Sequence, residues 1–206
     1  MLREARIAEA VGGVVAVAGG GHADLLEARL QALSARGARG IASFGLCGAL
    51  TDGLEVGDAV IGSASEAGWY SRVRALVPTM QSGLVHADGQ LAPTPAAKRA
   101  LYAATGAIAI DMESHIAARV AARHGLPLLI ARVVSDRADQ SLPPAFARAM
   151  RPDGGTDFAA MLTSIARHPA QLPRFLGAAA DATRALASLR RLSRLLGPGL
   201  GFADFA

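Results

Sequence analysis

The sequence predicts an α/β sandwich, a sheet covered by helices on both faces. Three observations carry that expectation. Short apolar runs alternate with amphipathic helical patterns, the runs are apolar throughout rather than at every second position, and glycine-rich turns follow several of them. A meander with one wet face would alternate apolar and polar residues instead.

The elements follow in order. Residues 13–18 (GVVAVA) form a β-branched run ending in Gly19-Gly20-Gly21 and are expected as a strand. Leu25, Leu26, Leu30 and Leu33 then recur at helical spacing, and Gly37 and Gly40 punctuate the end of that helix. Residues 41–45 (IASFG) read as a buried strand, with Leu46-Cys47-Gly48-Ala49 as a second glycine-rich turn. Gly57-Asp58 opens a further strand at 58–63. Residues 69–79 suit a short amphipathic helix closed near Pro78, and 82–86 a weak strand. Pro95 fits the first turn of a helix running to about Thr105. Residues 107–111 read as a strand and 112–124 as a helix ended by Gly125. Residues 126–134 (LPLLIARVV) are a near-continuous apolar strand. From Ser141 onward no strand is expected. Helices are predicted near 156–167 and 171–196, with His168-Pro169 between them and an irregular tail over 197–206. A single domain spanning 1–206, with a helical extension over about 141–206, is the simplest organisation.

Composition narrows the function. The chain has 206 residues and a formal net charge of +4, with 51 % hydrophobic and 18 % charged residues. That combination excludes a disordered chain. One cysteine, Cys47, excludes a disulfide scaffold. No run of about 18 residues is apolar without glycine or charge, and the opening MLREARIAEA is too charged for a signal peptide. A cytoplasmic protein is expected. The basic excess is arginine, because Lys98 is the only lysine. Six phenylalanines, two tyrosines and one tryptophan do not interleave with basic runs, so no nucleic-acid partner is expected.

Strand ends followed by glycine turns are the natural ligand crevices of such a sheet. The first is Gly19-Gly20-Gly21-His22, where glycines permit close backbone approach, although a tight strand-to-helix turn accounts for it equally well. The second is residues 44–50 (FGLCGAL). Cys47 has no local base, so a buried apolar thiol is the expected reading. The third is a pair of acidic clusters, Asp111-Met112-Glu113-Ser114 and Ser135-Asp136-Arg137-Ala138-Asp139. Both follow apolar strands directly and should emerge at one sheet edge, where two carboxylates can divide acid and hydrogen-bonding work. Each alone would be explained by a helix N-terminal acid. His22, His86, His115, His124 and His168 show no paired ligand spacing, so no metal is expected.

Taken together, Gly19-x-Gly21, Phe44-Gly45-x-Cys47-Gly48-Ala49-Leu50, Val56-Gly57-Asp58, Asp111-Met112-Glu113 and Val134-Ser135-Asp136-x-Ala138-Asp139 resemble the nucleoside phosphorylase and nucleosidase superfamily over about residues 14–139. Thr105-Gly106-Ala107 running into Asp111-Met112-Glu113-Ser114-His115 is similar to the hopanoid-associated phosphorylase branch. So are Gly125-Leu126-Pro127, Arg132-Val133-Val134-Ser135-Asp136, Pro143-Pro144, His168-Pro169 and Gln171-Leu172-Pro173. The resemblance implies a three-layer fold with a mixed central sheet, a homo-oligomer, and cleavage of an N-glycosidic bond. The implied substrate is adenosylhopane, a triterpenoid joined to C5′ of adenosine. The runners-up are a nucleosidase for methylthioadenosine-type substrates and a non-catalytic binding protein of the same fold.

The resemblance also assigns roles. Purine is a poor leaving group as an anion, so N7 must be protonated or hydrogen-bonded as the bond breaks. Asp136 matches the acid and Ser135 would orient it. To be protonated at neutral pH it would need burial or a negative neighbour. Glu113 matches the carboxylate that holds the ribose hydroxyls, with Met112 against the sugar. Gly19, Gly21 and Gly45 match glycines of the binding turns. Glu4 matches the N-terminal acid that helps activate water, and Val85 or His86 falls near the base. No cofactor is implied, with phosphate a possible co-substrate. Ser43 and Leu46 stand where many phosphorylases carry phosphate-gripping Arg and Ser, which weakens the case for phosphorolysis and leaves phosphate and water both open as the acceptor. The resemblance further implies a strand ahead of residues 3–8, expected to be missing from the sheet. Finally, Leu172, Phe175, Leu176, Leu186, Leu189, Leu192 and Leu196 among five arginines give 171–196 a basic amphipathic face. It is expected to pack on the core or a partner, or else to lie on an anionic membrane surface.

Overall fold

The computed structural model describes residues 2–19, 22–64, 67–143 and 172–202. The helix expected at 156–167, His168-Pro169, Gly20, Gly21 and residues 203–206 lie outside them.

Helix α1 spans Leu2–Glu9 and α2 Ala23–Ala35. Strands β1 (Ile41–Ala49) and β2 (Ala59–Ala64) lead into α3 (Ala67–Leu76) and the short strands β3 (Gln81–Ser82) and β4 (Val85–Ala87). Then come α4 (Pro95–Thr105), β5 (Ala109–Asp111), α5 (Ser114–His124), β6 (Leu128–Asp136) and α6 (Leu172–Leu196). The sheet is mixed, in the order β3-β2-β6-β1-β5-β4. β1 runs parallel to β6 and antiparallel to β5, while β2 runs antiparallel to β6.

Strand parity explains the two apolar layers. Along β6, Leu129, Ala131 and Val133 face one side and pack with Ile7 of α1, Trp69 and Val73 of α3, and Leu189 and Leu192 of α6. Leu128, Ile130 and Val134 face the other side, against Ala117, Val120 and Ala121 of α5 and Leu30 of α2. Successive strand side chains point to opposite faces, so an all-apolar run is what a doubly covered strand requires.

Local chemistry bounds α4. Thr94 Oγ1 accepts the Ala97 amide at 3.2 Å, Pro95 opens the first turn, and Gly106 closes the helix in the left-handed region at φ 68°.

Three expectations are corrected. Residues 13–18 are not a strand. Among the described residues their backbone joins no ladder: the Ala16 amide donates to the Glu9 carboxylate at 3.1 Å, and Arg29 donates to the Ala18 carbonyl at 2.6 Å. A β-branched run becomes a strand only where a neighbour offers pairing and burial, and Val15 is 70 % exposed. Second, β1 continues through Leu46-Cys47-Gly48-Ala49, which were expected as a turn. It pairs with β6 through Cys47, shifts register so that Gly48 pairs with Asp136, and pairs with β5 at Gly48 and Ala49. Third, residues 197–202 are no loose tail. Pro198–Gly201 form a 3₁₀ turn, Leu200 is buried in the core, and its carbonyl accepts the Trp69 indole N–H at 3.0 Å.

Helix α6 uses Leu189, Leu192 and Leu196 in the core. The same leucines are therefore not free to lie on a membrane, and Leu172 and Leu176 are the exposed leucines at its start. Among the described residues no helix is long and apolar enough to cross a membrane.

Candidate active site

The centre of the sheet holds a buried charge. Arg132 points from β6 toward β1 and β5, and is only 5 % exposed. Its Nε lies 3.0 Å from Asp111 Oδ2 as an ion pair outside hydrogen-bond angles. Its guanidinium donates to Ser43 Oγ at 2.5 Å and to Ser114 Oγ at 2.9 Å. Asp111 also accepts from the Ser114 hydroxyl, and its other oxygen takes the amides of Glu113 and Ser114 at 2.7 Å each. Asp111 is thus both counter-ion to Arg132 and anchor for the start of α5. Glu113, two residues on, is left facing a cavity.

Glu4 comes to the same place from α1. Its carboxylate accepts the Leu46 amide at 3.0 Å. Glu4 and Arg132 converge over Gly45. A Cβ there would stand 2.7 Å from the guanidinium and 2.8 Å from the carboxylate, so the glycine serves close side-chain approach within a strand. Burial raises the Glu113 carboxyl above the usual range. Glu4 adds to the rise, while the Arg132 guanidinium opposes it.

These residues form the polar floor of a cavity of about 470 Å³. Glu4, Ser43, Glu113 and Arg132 line one part. Val14, Val15, Val17, Leu26, Leu30 and Trp69 line much of the rest. The β1 edge opposite β6 borders it at residues 41–44.

A second cluster lies at the end of β6. Ser135 Oγ lies 2.9 Å from Asp136 Oδ1 and 3.0 Å from the Cys47 carbonyl oxygen, two acceptors that share its one proton. Lys98 Nζ reaches Asp136 Oδ2 at 2.5 Å. A Cβ on Gly48 would lie 2.9 Å from that oxygen, so the second glycine of β1 also makes room for a carboxylate.

The structure therefore gathers Glu4 and Glu113 at the cavity, with Gly45 beneath Glu4 and Arg132 but not in the lining, and Ser135 and Asp136 at the end of β6. Met112 is half-buried between Asp111 and Glu113 and does not line the cavity. Gly19 is a packing glycine: a Cβ would meet the His22 carbonyl oxygen at 2.8 Å and Leu26 Cβ at 2.9 Å. Gly21 lies outside the described residues. Val85 is a core residue, packed with Ile130 and Ala109, and does not line the cavity. His86 sits on β4 near the sheet edge, 3.3 Å from Asp88, and is likewise not part of the lining.

Sequence reasoning missed Arg132 and Lys98. Both left a trace. Arg132 is the lone charge in an otherwise apolar strand, and charges are rarely buried unless paired. Lys98 is the only lysine in the chain. Among the described residues no group of three or more His, Cys, Asp or Glu side chains could hold a metal ion.

Cys47 is buried on β1, and burial pushes its thiol far above the ordinary range. The folded protein is expected to resist iodoacetamide at neutral pH and to react once unfolded in urea. Mass spectrometry before and after denaturation checks this, and rapid labelling of the native chain would contradict it.

A family model described as the phosphorylase superfamily matches residues 64–167, just over half of the chain. No curated protein matches it significantly. Among solved structures, the chain is similar to futalosine hydrolase of Helicobacter pylori strain 26695. Identity is 14 %, covering 82 % of this chain and 75 % of that one, with a TM-score of 0.55. It is similar to a 5′-methylthioadenosine/S-adenosylhomocysteine nucleosidase from Helicobacter pylori at 16 % identity, over 71 % and 76 % of the two chains, TM-score 0.55. A putative nucleosidase of that kind from Francisella philomiragia gives 16 % identity, 85 % and 76 % coverage, and a TM-score of 0.57. These likenesses establish the three-layer fold with its mixed sheet.

Proposed function

The chain belongs to the phosphorylase superfamily, and from that we propose that it cleaves the N-glycosidic bond of a 5′-substituted adenosine, adenosylhopane being the substrate. One observation carries the reading: the polar floor of Glu4, Glu113 and Arg132 opens into an apolar-walled cavity. A sugar can be held at the floor while an apolar 5′ group lies along Val14, Val15, Val17, Leu26 and Leu30. Asp136 stands four residues beyond Arg132 on β6, about 13 Å of extended chain.

The chemistry follows from these placements. As C1′–N9 breaks, its electron pair enters the purine and the ribose becomes oxocarbenium-like. Asp136, oriented by Ser135, serves N7. Glu113 holds the ribose hydroxyls, and contacts that tighten as charge develops accelerate the step. Glu4 takes the proton of an attacking water. Water is favoured over phosphate because Arg132 is already paired with Asp111, and because Ser43 and Leu46 occupy the second glycine segment. A second reading, a nucleosidase for small 5′-thioadenosines, draws support from the fold likeness to such enzymes.

The test is adenine release from adenosylhopane, a 5′-alkyl adenosine and methylthioadenosine, followed by liquid chromatography with and without phosphate. Phosphate-independent release, fastest with the apolar 5′ group, is expected. Asp136→Asn should lower turnover at least about tenfold, the lower range for losing a positioned acid. No release from any of the three, or an unaffected Asp136→Asn variant, would overturn the reading.

A further inference from the structure

Lys98 is the only lysine of the sequence, and it is just 1 % exposed. A buried ammonium is costly unless hydrogen bonds and a counter-charge offset the lost hydration. Helix α4 supplies both. Its first turn is set by the Thr94 cap, and the Lys98 amide donates to the Thr94 carbonyl at 2.9 Å. From there Nζ reaches Asp136 Oδ2 and the Arg137 carbonyl, each at 2.5 Å. Ser135 Oγ lies 2.9 Å from the other oxygen, Oδ1. Both oxygens of Asp136 therefore face protein donors, yet the role proposed above asks Asp136 to donate. A proton must reach it first, and Lys98 is the charged donor in contact with it.

Resting on the function proposed above, we infer that Lys98 is a positioning residue that orients Asp136 and supplies the proton Asp136 passes to the leaving base. The step balances. An N–H bond of the Lys98 ammonium breaks and its proton joins Asp136 Oδ2, giving an amine and a carboxylic acid. As C1′–N9 breaks and its electrons enter the purine, the acid's O–H breaks and N7–H forms. Lys98 regains a proton from solvent between turnovers. Lys98 acts only through Asp136 and has no need to touch substrate.

The test uses the full chain and a 5′-alkyl adenosine. Lys98→Met keeps the volume and removes the proton. It is expected to lower kcat at least about tenfold with KM changed by less than about threefold, the pattern of a lost proton transfer rather than lost binding. In Lys98→Ala, added ethylamine should restore part of kcat in proportion to its concentration, whereas 1-propanol of similar size should not. An unaltered kcat in Lys98→Met, or equal rescue by propanol, would overturn the proposal, since either means that Lys98 only fills space. A second measurement covers variants that fail to fold. With ¹³C at Cε of lysine, the unsubstituted chain gives a single lysine signal. That signal should move when adenine is added and stay still in Asp136→Asn. A signal indifferent to adenine, in a protein that does release adenine, sinks the inference alone. Failure of the unsubstituted chain to release adenine belongs to the functional reading instead.

Discussion

Replacing Arg132 with methionine is expected to destabilise the fold by about 3–5 kcal/mol, the range for breaking a buried ion pair from one side. The reason lies in what is left behind. Asp111 is 5 % exposed and would keep its charge with no cation beside it. Ser43 and Ser114 would lose the donor that ties β1 to α5. Urea unfolding of the folded chain measures the loss. Adding Asp111→Asn to Arg132→Met should recover part of it, because the stranded charge disappears while the acceptor for the Glu113 and Ser114 amides is largely kept. Arg132→Met alone should cost more than the double variant costs beyond Asp111→Asn alone, with a coupling of about 0.5–3 kcal/mol expected for groups in contact. A loss below about 1 kcal/mol would show that the network contributes little more than an exposed pair does.

The second large effect is catalytic. Glu113→Gln is expected to lower kcat/KM for adenine release by about 10²–10³, the range for removing one preorganised electrostatic contact to a transition state. Its effect on stability should run the other way. Burial raises the Glu113 carboxyl, so the folded chain holds that proton more tightly than the unfolded chain. Folding stability from this group is thus complete below the ordinary glutamate range and declines as pH rises through the raised value. Glutamine removes the decline, so at neutral pH the variant should be no less stable than the parent. The same shift bears on activity. If the ionised carboxylate grips the ribose, the acidic limb of kcat/KM should lie above the ordinary glutamate value of about 4.3. A profile already flat at that pH would contradict the role. So would a Glu113→Gln variant that loses stability and activity together, since that pattern describes a structural residue.

Parts of this molecule were legible from sequence because their causes are local. Helix α4 begins and ends where Thr94, Pro95 and Gly106 say it should, since a cap, a fixed φ and a left-handed residue act within one turn. β6 was legible because its near-continuous apolar run fits a strand covered on both faces. That Glu113 and Asp136 follow β5 and β6 was legible, but the single sheet edge expected for them is corrected: β5 runs antiparallel to β1 and β6 parallel to it, so the two strands end in opposite directions. Glu4 was reached by resemblance alone, as nothing in its own segment distinguishes it from a helix acid.

Other readings failed where the cause was distant. Residues 13–18 carry strand propensity, but propensity becomes a strand only with a partner, and none of the described strands pairs with them. Gly45 and Gly48 looked like turn residues. In the structure they are strand residues made small by Arg132, Glu4 and Asp136 crossing above them. Leu200 was expected in a loose tail but fills the core beneath Trp69.

The sequence by itself determined the layered architecture, the order of helices and strands over most of the chain, and the strand ends at which the carboxylates emerge. Tertiary structure alone decided which charges meet. Arg132 and Ser43 are 89 residues apart in the chain, and Lys98 and Asp136 are 38 apart. Periodicity and capping act over one or two turns of chain and carry no information about such separations. A buried cation, by contrast, is tolerated only where strands and helices from elsewhere bring oxygen to it.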